Sequence, residues 1–391
     1  MRNILVIEKL EKNLNKLICN IREKNEQKTL WISVEENFAK YLCDDRADVF
    51  FIYCVYKAIK EGYDLVSKVP VSGRLVYQTK RFLAPILAKV LKVAPIKIDV
   101  SSTFSSLSSQ NAVGTGVTLG VDSMFSIATH INSPEGKGFN LTHLVLMNVG
   151  SHSIGAEDEL TLWENRISKA REFCKENNFE FVKIDTNVRD FFSYDYTEYH
   201  GLINQATILA LQPLFRYYYT SSSYMMEEFR FNPADFSQFE LFNLAMLETE
   251  STTFYSVGGE ISRYDKVKLL VNYPPSYKYL NVCNSYSDNC SETTCVKCMR
   301  TILELDALNA LDKYASVFDI KMYESNKMIY LSDMYARKVL RHDHYAIEMW
   351  DDLMKKYHIP LWQKLKGLLR FISSRLSIYS LKYIRHRLKE R

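Results

Sequence analysis

The sequence contains no apolar run that reaches the roughly 18 to 20 residues needed to cross a bilayer, which excludes an ordinary membrane-spanning helix. Its charged beginning (Arg2, Glu8, Lys9, Glu11, Lys12) lacks the apolar stretch and small-residue cleavage site of a secretory leader. Both absences point to a cytoplasmic protein. There is no GxSxG elbow, which removes a serine hydrolase of the α/β type. Internal repeats and long low-complexity segments are also missing. What is present is a globular composition, 47% hydrophobic, 13% aromatic and 25% charged over 391 residues. That length suits two or three domains, or one large α/β domain with flanking pieces.

The whole-chain charge of +4 averages two unlike parts. Residues 363–391 carry nine cations (Lys364, Lys366, Arg370, Arg375, Lys382, Arg385, Arg387, Lys389, Arg391) against Glu390 alone, a net of +8 that leaves the remainder at −4. The cysteines are equally local. Four of the eight (Cys283, Cys290, Cys295, Cys298) crowd into one short stretch, and in a cytoplasmic chain such a cluster reads as a metal site before it reads as disulfides.

Along the chain, residues 1–110 read as a separate N-terminal α/β unit. Ile4 to Ile7 is a short apolar run, Glu8 to Lys24 a polar helical stretch, Ala47 to Ile59 a buried helix, and Ile96 to Val100 strand-like. From residue 111 a strand, helix, strand, helix, strand series emerges, with strands at Ala112–Thr118, His143–Val149 and Phe179–Asp185, a further helix near Gly201–Leu211, and a strand near Phe215–Ser221. That grammar predicts a parallel sheet with crossovers, ligand-binding at the carboxyl ends of its strands, and convergence of Thr118–Ser123, Asn148–Ser153 and Asp185–Asn187. The domain boundaries that follow are 1–110, 111–280 for the sheet domain, 281–315 for the four-cysteine segment and 316–391 for a helical region ending in the basic tail.

Thr118-Leu119-Gly120-Val121-Asp122-Ser123 joins a predicted strand to a predicted helix, so backbone N–H groups and the positive helix end face one place, with hydroxyls from Thr118 and Ser123. It is neither a Walker A loop nor a GxGxxG fingerprint, and an ordinary strand-turn-helix junction is the plainer alternative. Cys283-x6-Cys290-x4-Cys295-x2-Cys298 supplies enough thiolates for a closed tetrahedral Zn²⁺ site, structural because no position stays open for water. An Fe–S cluster, or cysteines that are unligated or disulfide-bonded, are the alternatives.

The turn resembles the PP-loop, SGGxDS, of the adenine nucleotide α-hydrolase-like ATP pyrophosphatases: Thr118 stands at the Ser, Leu119 at the first Gly, Gly120 at the second, Asp122 and Ser123 at the last two. Leu at a glycine position is a departure, because an L side chain resists φ > 0. The stretch YLNVCNSYSDNCSETTCVKCMRTILELDALNAL is similar to a block in relatives of 7-cyano-7-deazaguanine synthase, where a lone Cys precedes a Cys-x2-Cys-x2-Cys cluster and an Arg, here Arg300. The x4 gap between Cys290 and Cys295 is longer than usual. In order, the likeness spans residues 110–310.

The resemblance implies a HUP, Rossmann-like nucleotide-binding domain that cleaves ATP to AMP and pyrophosphate, with Mg²⁺ and Zn²⁺ as further cofactors. Adenylation of a carboxylate, amide or nucleobase oxygen would precede displacement by ammonia, an amine or sulfur. Thr118, Gly120, Val121, Asp122 and Ser123 would cradle the phosphates, Asp122 would help hold Mg²⁺, and Arg263 and Lys266 would stabilise the departing pyrophosphate. A solvent-facing basic pair is the plainer view of Arg263 and Lys266. Asn148, Ser151 and His152 would approach the adenosine, and Asp185 the ribose or metal; an ordinary loop histidine and a helix cap are the alternatives. His200, Gly201 and Ser251 are candidate acceptor-side residues, with capping as the alternative for His200.

Two competing functions stand beside adenylation: a zinc-stabilised, nucleotide-binding interaction protein whose loop has degenerated at Leu119, and a tRNA-modifying enzyme. In the tail, Leu365, Leu368, Leu369, Ile372, Leu376 and Tyr379 recur near helical spacing among Lys and Arg. Such a basic amphipathic helix suits an anionic membrane, RNA, an acidic protein or the acidic remainder of its own chain. A homodimer is a separate expectation for the assembly.

Overall fold

The computed structural model describes residues 3–132, 134–150, 156–283 and 295–389. Two compact units divide the chain, one formed by Met1–Thr118 and Asp122–Ile261, the other by Leu119–Val121 and Ser262–Arg391.

The first unit is an α/β fold on a ten-stranded sheet. Its strands are β1 (Ile4–Asn13), β2 (Lys16–Glu23), β3 (Glu26–Val34), β4 (Asp64–Ser72), β5 (Ile98–Thr103), β6 (Ala112–Gly116), β7 (His143–Asn148), β8 (Glu180–Thr186), β9 (Phe215–Ser221) and β10 (Thr253–Val257), in the order β10-β9-β6-β7-β8-β3-β2-β1-β4-β5. The pairs β6·β7, β7·β8, β6·β9, β9·β10, β1·β4 and β4·β5 are parallel, while β1·β2, β2·β3 and β3·β8 are antiparallel.

The stretch Glu8–Lys24, expected as helix, is instead the hairpin of β1 and β2. Leu17, Cys19 and Ile21 are buried with a period of two, and Leu14 makes the turn at φ 52°. The N-terminal segment also shares its sheet with the rest of the unit, because Ile32, Ser33 and Val34 of β3 pair with Thr186, Asp185 and Ile184 of β8. The division between units falls at Ile261 and Ser262.

Helix Asp48–Glu61 is apolar nearly all round, so it can persist only inside a core. It packs on β1, β4 and helix Tyr196–Thr207, where Tyr53 and Thr207 hydroxyls meet at 2.6 Å. Gly62 ends it in the left-handed conformation, φ 71°, that glycine adopts without cost. Burying side chains such as Phe50, Phe51 and Ile52 contributes roughly 1.5 to 3 kcal/mol each.

The second unit is helical. Ser262 caps helix Arg263–Leu270, Cys295 precedes helix Val296–Ala307, Asp319 caps helix Ile320–Arg341, Asp343 caps helix His344–Lys356, and a long helix spans Leu361–Lys389. The buried Asp306 carboxylate ties three of them together by accepting hydrogen bonds from Tyr323, Lys356 and Tyr357. Gly367 lies against the backbone of Ser332, so close that a Cβ would collide with its carbonyl. Among the described residues, no helix is long and apolar enough to cross a membrane.

Candidate functional site

Read in chain order, the five parallel strands β6 to β10 lie in the order 3-2-1-4-5, which places the reversal of winding between β6 and β9. A doubly wound sheet opens a ligand crevice at that point, outside the carboxyl ends of its strands. The loop leaving β6 there is Val117 to Gly120, followed by helix Val121–His130.

Two features hold this loop. The buried Ser123 hydroxyl donates to the Gly116 carbonyl at 2.6 Å and accepts from the Thr118 N–H at 3.2 Å, closing the turn on itself. Leu119 occupies the left-handed region, φ 58°, although it is not glycine. The side chain that resists this backbone is buried, and the Leu119 carbonyl accepts from the Asn281 N–H at 2.8 Å. Burial and that hydrogen bond offset a conformational cost of roughly 1 to 2 kcal/mol. Thr118 is exposed, and Asp122 stands half-buried in the first helical turn, where a carboxylate complements the helix dipole.

The neighbouring strands deliver Asn148 and Asp185 to the same edge, directly paired in register. Asn148 donates to the Asp185 carboxylate, which also accepts from the Thr186 N–H at 3.0 Å; burial nevertheless outweighs these bonds and raises the acid above its ordinary range. Ser151 and His152 lie outside the described residues.

His200 is committed to packing: Nδ1 contacts the Thr197 carbonyl at 3.0 Å, Nε2 the Ser237 hydroxyl at 2.8 Å, and its ring stacks on Tyr196. Gly201 lets that helix approach the chain at Phe236 and Ser237, where a Cβ would stand 2.5 Å from the Ser237 nitrogen. The Ser251 hydroxyl accepts from the Leu107 N–H at 2.7 Å. All three hold backbone segments together.

A hollow that the sequence did not disclose lies beyond β9 and β10, lined by Ser222, Tyr224, Gln238, Glu240 and Ser256 among others. Buried Glu240 accepts from the Ser256 hydroxyl at 2.8 Å. Its only signal was positional, as β9 is the strand across the reversal from β6.

In the second unit, Cys283, Cys295 and Cys298 place their sulfurs within 4.8 Å of one another, and Cys283 and Cys298 are buried. Tetrahedral coordination at about 2.3 Å per Zn–S bond sets sulfurs about 3.8 Å apart, so the donor set fits a thiolate-bound metal. The Cys298 N–H points at the Cys295 sulfur at 3.3 Å, as helix N-terminal amides do toward ligating thiolates. Cys290 lies outside the described residues.

Arg263 and Lys266 share one helix face, but not a solvent-facing one. Lys266 is 3% exposed, and largely buried Arg263 reaches Thr301 Oγ1 at 3.0 Å and Glu304 Oε1 at 3.5 Å. Arg300 stacks its guanidinium on Tyr345 at 3.6 Å, and burial together with the like charge of Arg263 lowers its pKa.

Compared with known proteins, the chain matches no family model, no curated protein and no solved structure.

Proposed function

We propose that the chain is an ATP-dependent, AMP-forming enzyme that adenylates a carboxylate, amide or nucleobase oxygen and then admits a nitrogen or sulfur nucleophile. The observation that carries this reading is Leu119 at φ 58°, in the loop after the first strand of a 3-2-1-4-5 sheet. A left-handed backbone at the position where the PP-loop has glycine supports this reading, because a leucine adopts it only at a conformational cost that an ordinary junction would avoid.

In this reading Thr118, Gly120 and the first amides of helix Val121–His130 bind the phosphates of ATP, with Asp122 facing their Mg²⁺. The acceptor oxygen attacks the α-phosphorus, the bond to the β-phosphate bridging oxygen breaks, and pyrophosphate leaves; the nucleophile then displaces AMP from the acceptor. Positioning and charge neutralisation are the protein's contribution. Arg263 and Lys266, both in the unit that contains Leu119–Val121, would stabilise the departing pyrophosphate. Zinc, held by Cys283, Cys295, Cys298 and the fourth thiol of Cys290, would fasten the segment preceding helix Val296–Ala307 rather than take part in the reaction.

A second reading, a nucleotide-binding interaction protein without turnover, draws support from Ser123, whose hydroxyl is spent on Gly116 and Thr118. Thermal stability with ATP and Mg²⁺, measured beside Asp122→Asn, separates them from an empty loop. At about 100 times Kd, ATP should stabilise the protein by roughly 2.7 kcal/mol, and the variant should lose most of that shift. Release of AMP and pyrophosphate in the presence of acceptor candidates supports the enzyme; binding without release supports the interaction protein. No shift at millimolar ATP sinks both.

A further inference from the structure

The basic helix Leu361–Lys389 presents two unlike faces. Its inner face docks on helix Ile320–Arg341: Gly367 abuts the Ser332 backbone, and Arg370 bonds Asp333 at 2.7 Å and the Ser332 hydroxyl at 2.5 Å. Its other face is apolar and open. Leu361, Leu365, Leu369 and Ile372 follow one another at i, i+4, i+8 and i+11, Trp362 sits beside them, and these five side chains are 46–73% exposed. The same period continues in the sequence at Leu376, Tyr379 and Tyr383.

Cations border the open stripe. The Lys366 ammonium lies 4.7 Å from the centre of the Trp362 ring, so a cation stands at the border of the apolar stripe, where a long side chain can carry its charge to a polar layer. Lys364 and Arg375 lie over the rings of Tyr335 and Phe371. A contiguous apolar stripe of this size on a solvent-facing helix signifies an interaction site.

We propose that this helix lies in the headgroup region of an anionic membrane, its apolar stripe buried at the acyl boundary and its flanking Lys and Arg on lipid phosphates and carboxylates. The second unit would thus carry a peripheral anchor; no helix of the described residues is apolar enough to span. Charge and the apolar stripe together favour this occupant over a second copy or RNA. A second copy would set nine cations and one acid of each tail against the same set, a repulsive pairing, and RNA would satisfy the cations but leave the stripe in water.

The test is flotation of the full chain with vesicles of phosphatidylcholine alone and of equimolar phosphatidylcholine and phosphatidylserine. The parent should float with the mixed vesicles only, and Leu365→Glu with Leu369→Glu should weaken partitioning about tenfold or more while leaving the helical circular dichroism unchanged, since both positions are exposed. Tryptophan emission should shift to the blue on binding, a shift that Trp362→Phe diminishes without preventing flotation. Three results would overturn the proposal: failure to float with the mixed vesicles, flotation unaffected by the double glutamate variant, or binding to single-stranded RNA or to a second copy of the chain with no lipid binding.

Discussion

Gln212 donates its amide N–H to Asp48 Oδ2 at 2.8 Å, and both side chains are out of contact with solvent. A second hydrogen bond, from the Ser72 N–H to Oδ1 at 2.7 Å, favours the Asp48 anion, yet burial dominates and pushes the acid up to about 6 from an ordinary 3.8. The folded state therefore binds this proton more tightly than the unfolded chain does. Its contribution to stability is full below pH 3.8 and is lost as the pH climbs to about 6, a change of about 3 kcal/mol. Asp48→Asn should remove that slope: the difference in unfolding free energy between variant and parent, followed by urea titration, should grow across this window in the variant's favour and level off above it. A constant difference would mean that Asp48 titrates normally.

At Leu119 the backbone angle and the side chain oppose each other. Replacing it by alanine discards buried apolar surface and keeps the strain; replacing it by glycine discards the same surface and relieves the strain. Leu119→Gly should therefore be more stable than Leu119→Ala by about 1 kcal/mol, with both below the parent. Chemical denaturation of the three proteins decides it, and the reverse order would show that the loop does not hold the left-handed turn in solution.

Gly201 has no room for a methyl group, because what it meets is the backbone at Phe236 and Ser237 rather than a movable side chain. Gly201→Ala should cost about 1 to 3 kcal/mol through overpacking. Since Ser237 also holds His200, the imidazole resonances should move in the same variant, which histidine NMR can follow.

Metal content tests the cysteines. The protein should retain one zinc per chain through gel filtration, and Cys283→Ser, Cys295→Ser and Cys298→Ser should each lower affinity by more than the roughly 10- to 100-fold that loss of an outer-shell partner costs. If Cys290→Ser behaves like the other three, the site is a four-thiolate one. Retention of zinc in Cys298→Ser would remove this group as the ligand set.

Much of the sheet was legible because crossover units write both periods plainly: β9 falls at Phe215–Ser221 and β7 and β8 within a residue or two of their expected places. The first hairpin was not. Leu10, Leu14 and Leu17 imitate a helical stripe, and the turns between β1, β2 and β3 use Leu14 and Lys24 at positive φ where glycine or Asn-Gly would have announced them. The gathering of Cys283, Cys295 and Cys298 was legible from spacing, because a metal site needs several sulfurs at one point and the chain supplies them close together; Cys290, the fourth cysteine of that reading, lies outside the described residues. The burial of Arg263 and Lys266 was not, since Glu304, the acid beside Arg263, belongs to another helix.

The antiparallel seam between β3 and β8 also sets a schedule for synthesis. Once Thr103 has been made, all of β1 to β5 can pair, but the far edge of β3, with Trp31, Ile32 and Val34, stays bare until Glu180–Thr186 has left the ribosome. At roughly 5 to 20 residues per second the wait is on the order of 4 to 17 seconds. During that interval the nascent chain displays a strand ready to accept the wrong neighbour, with Glu26 and Lys28 at its start as the charges that discourage one.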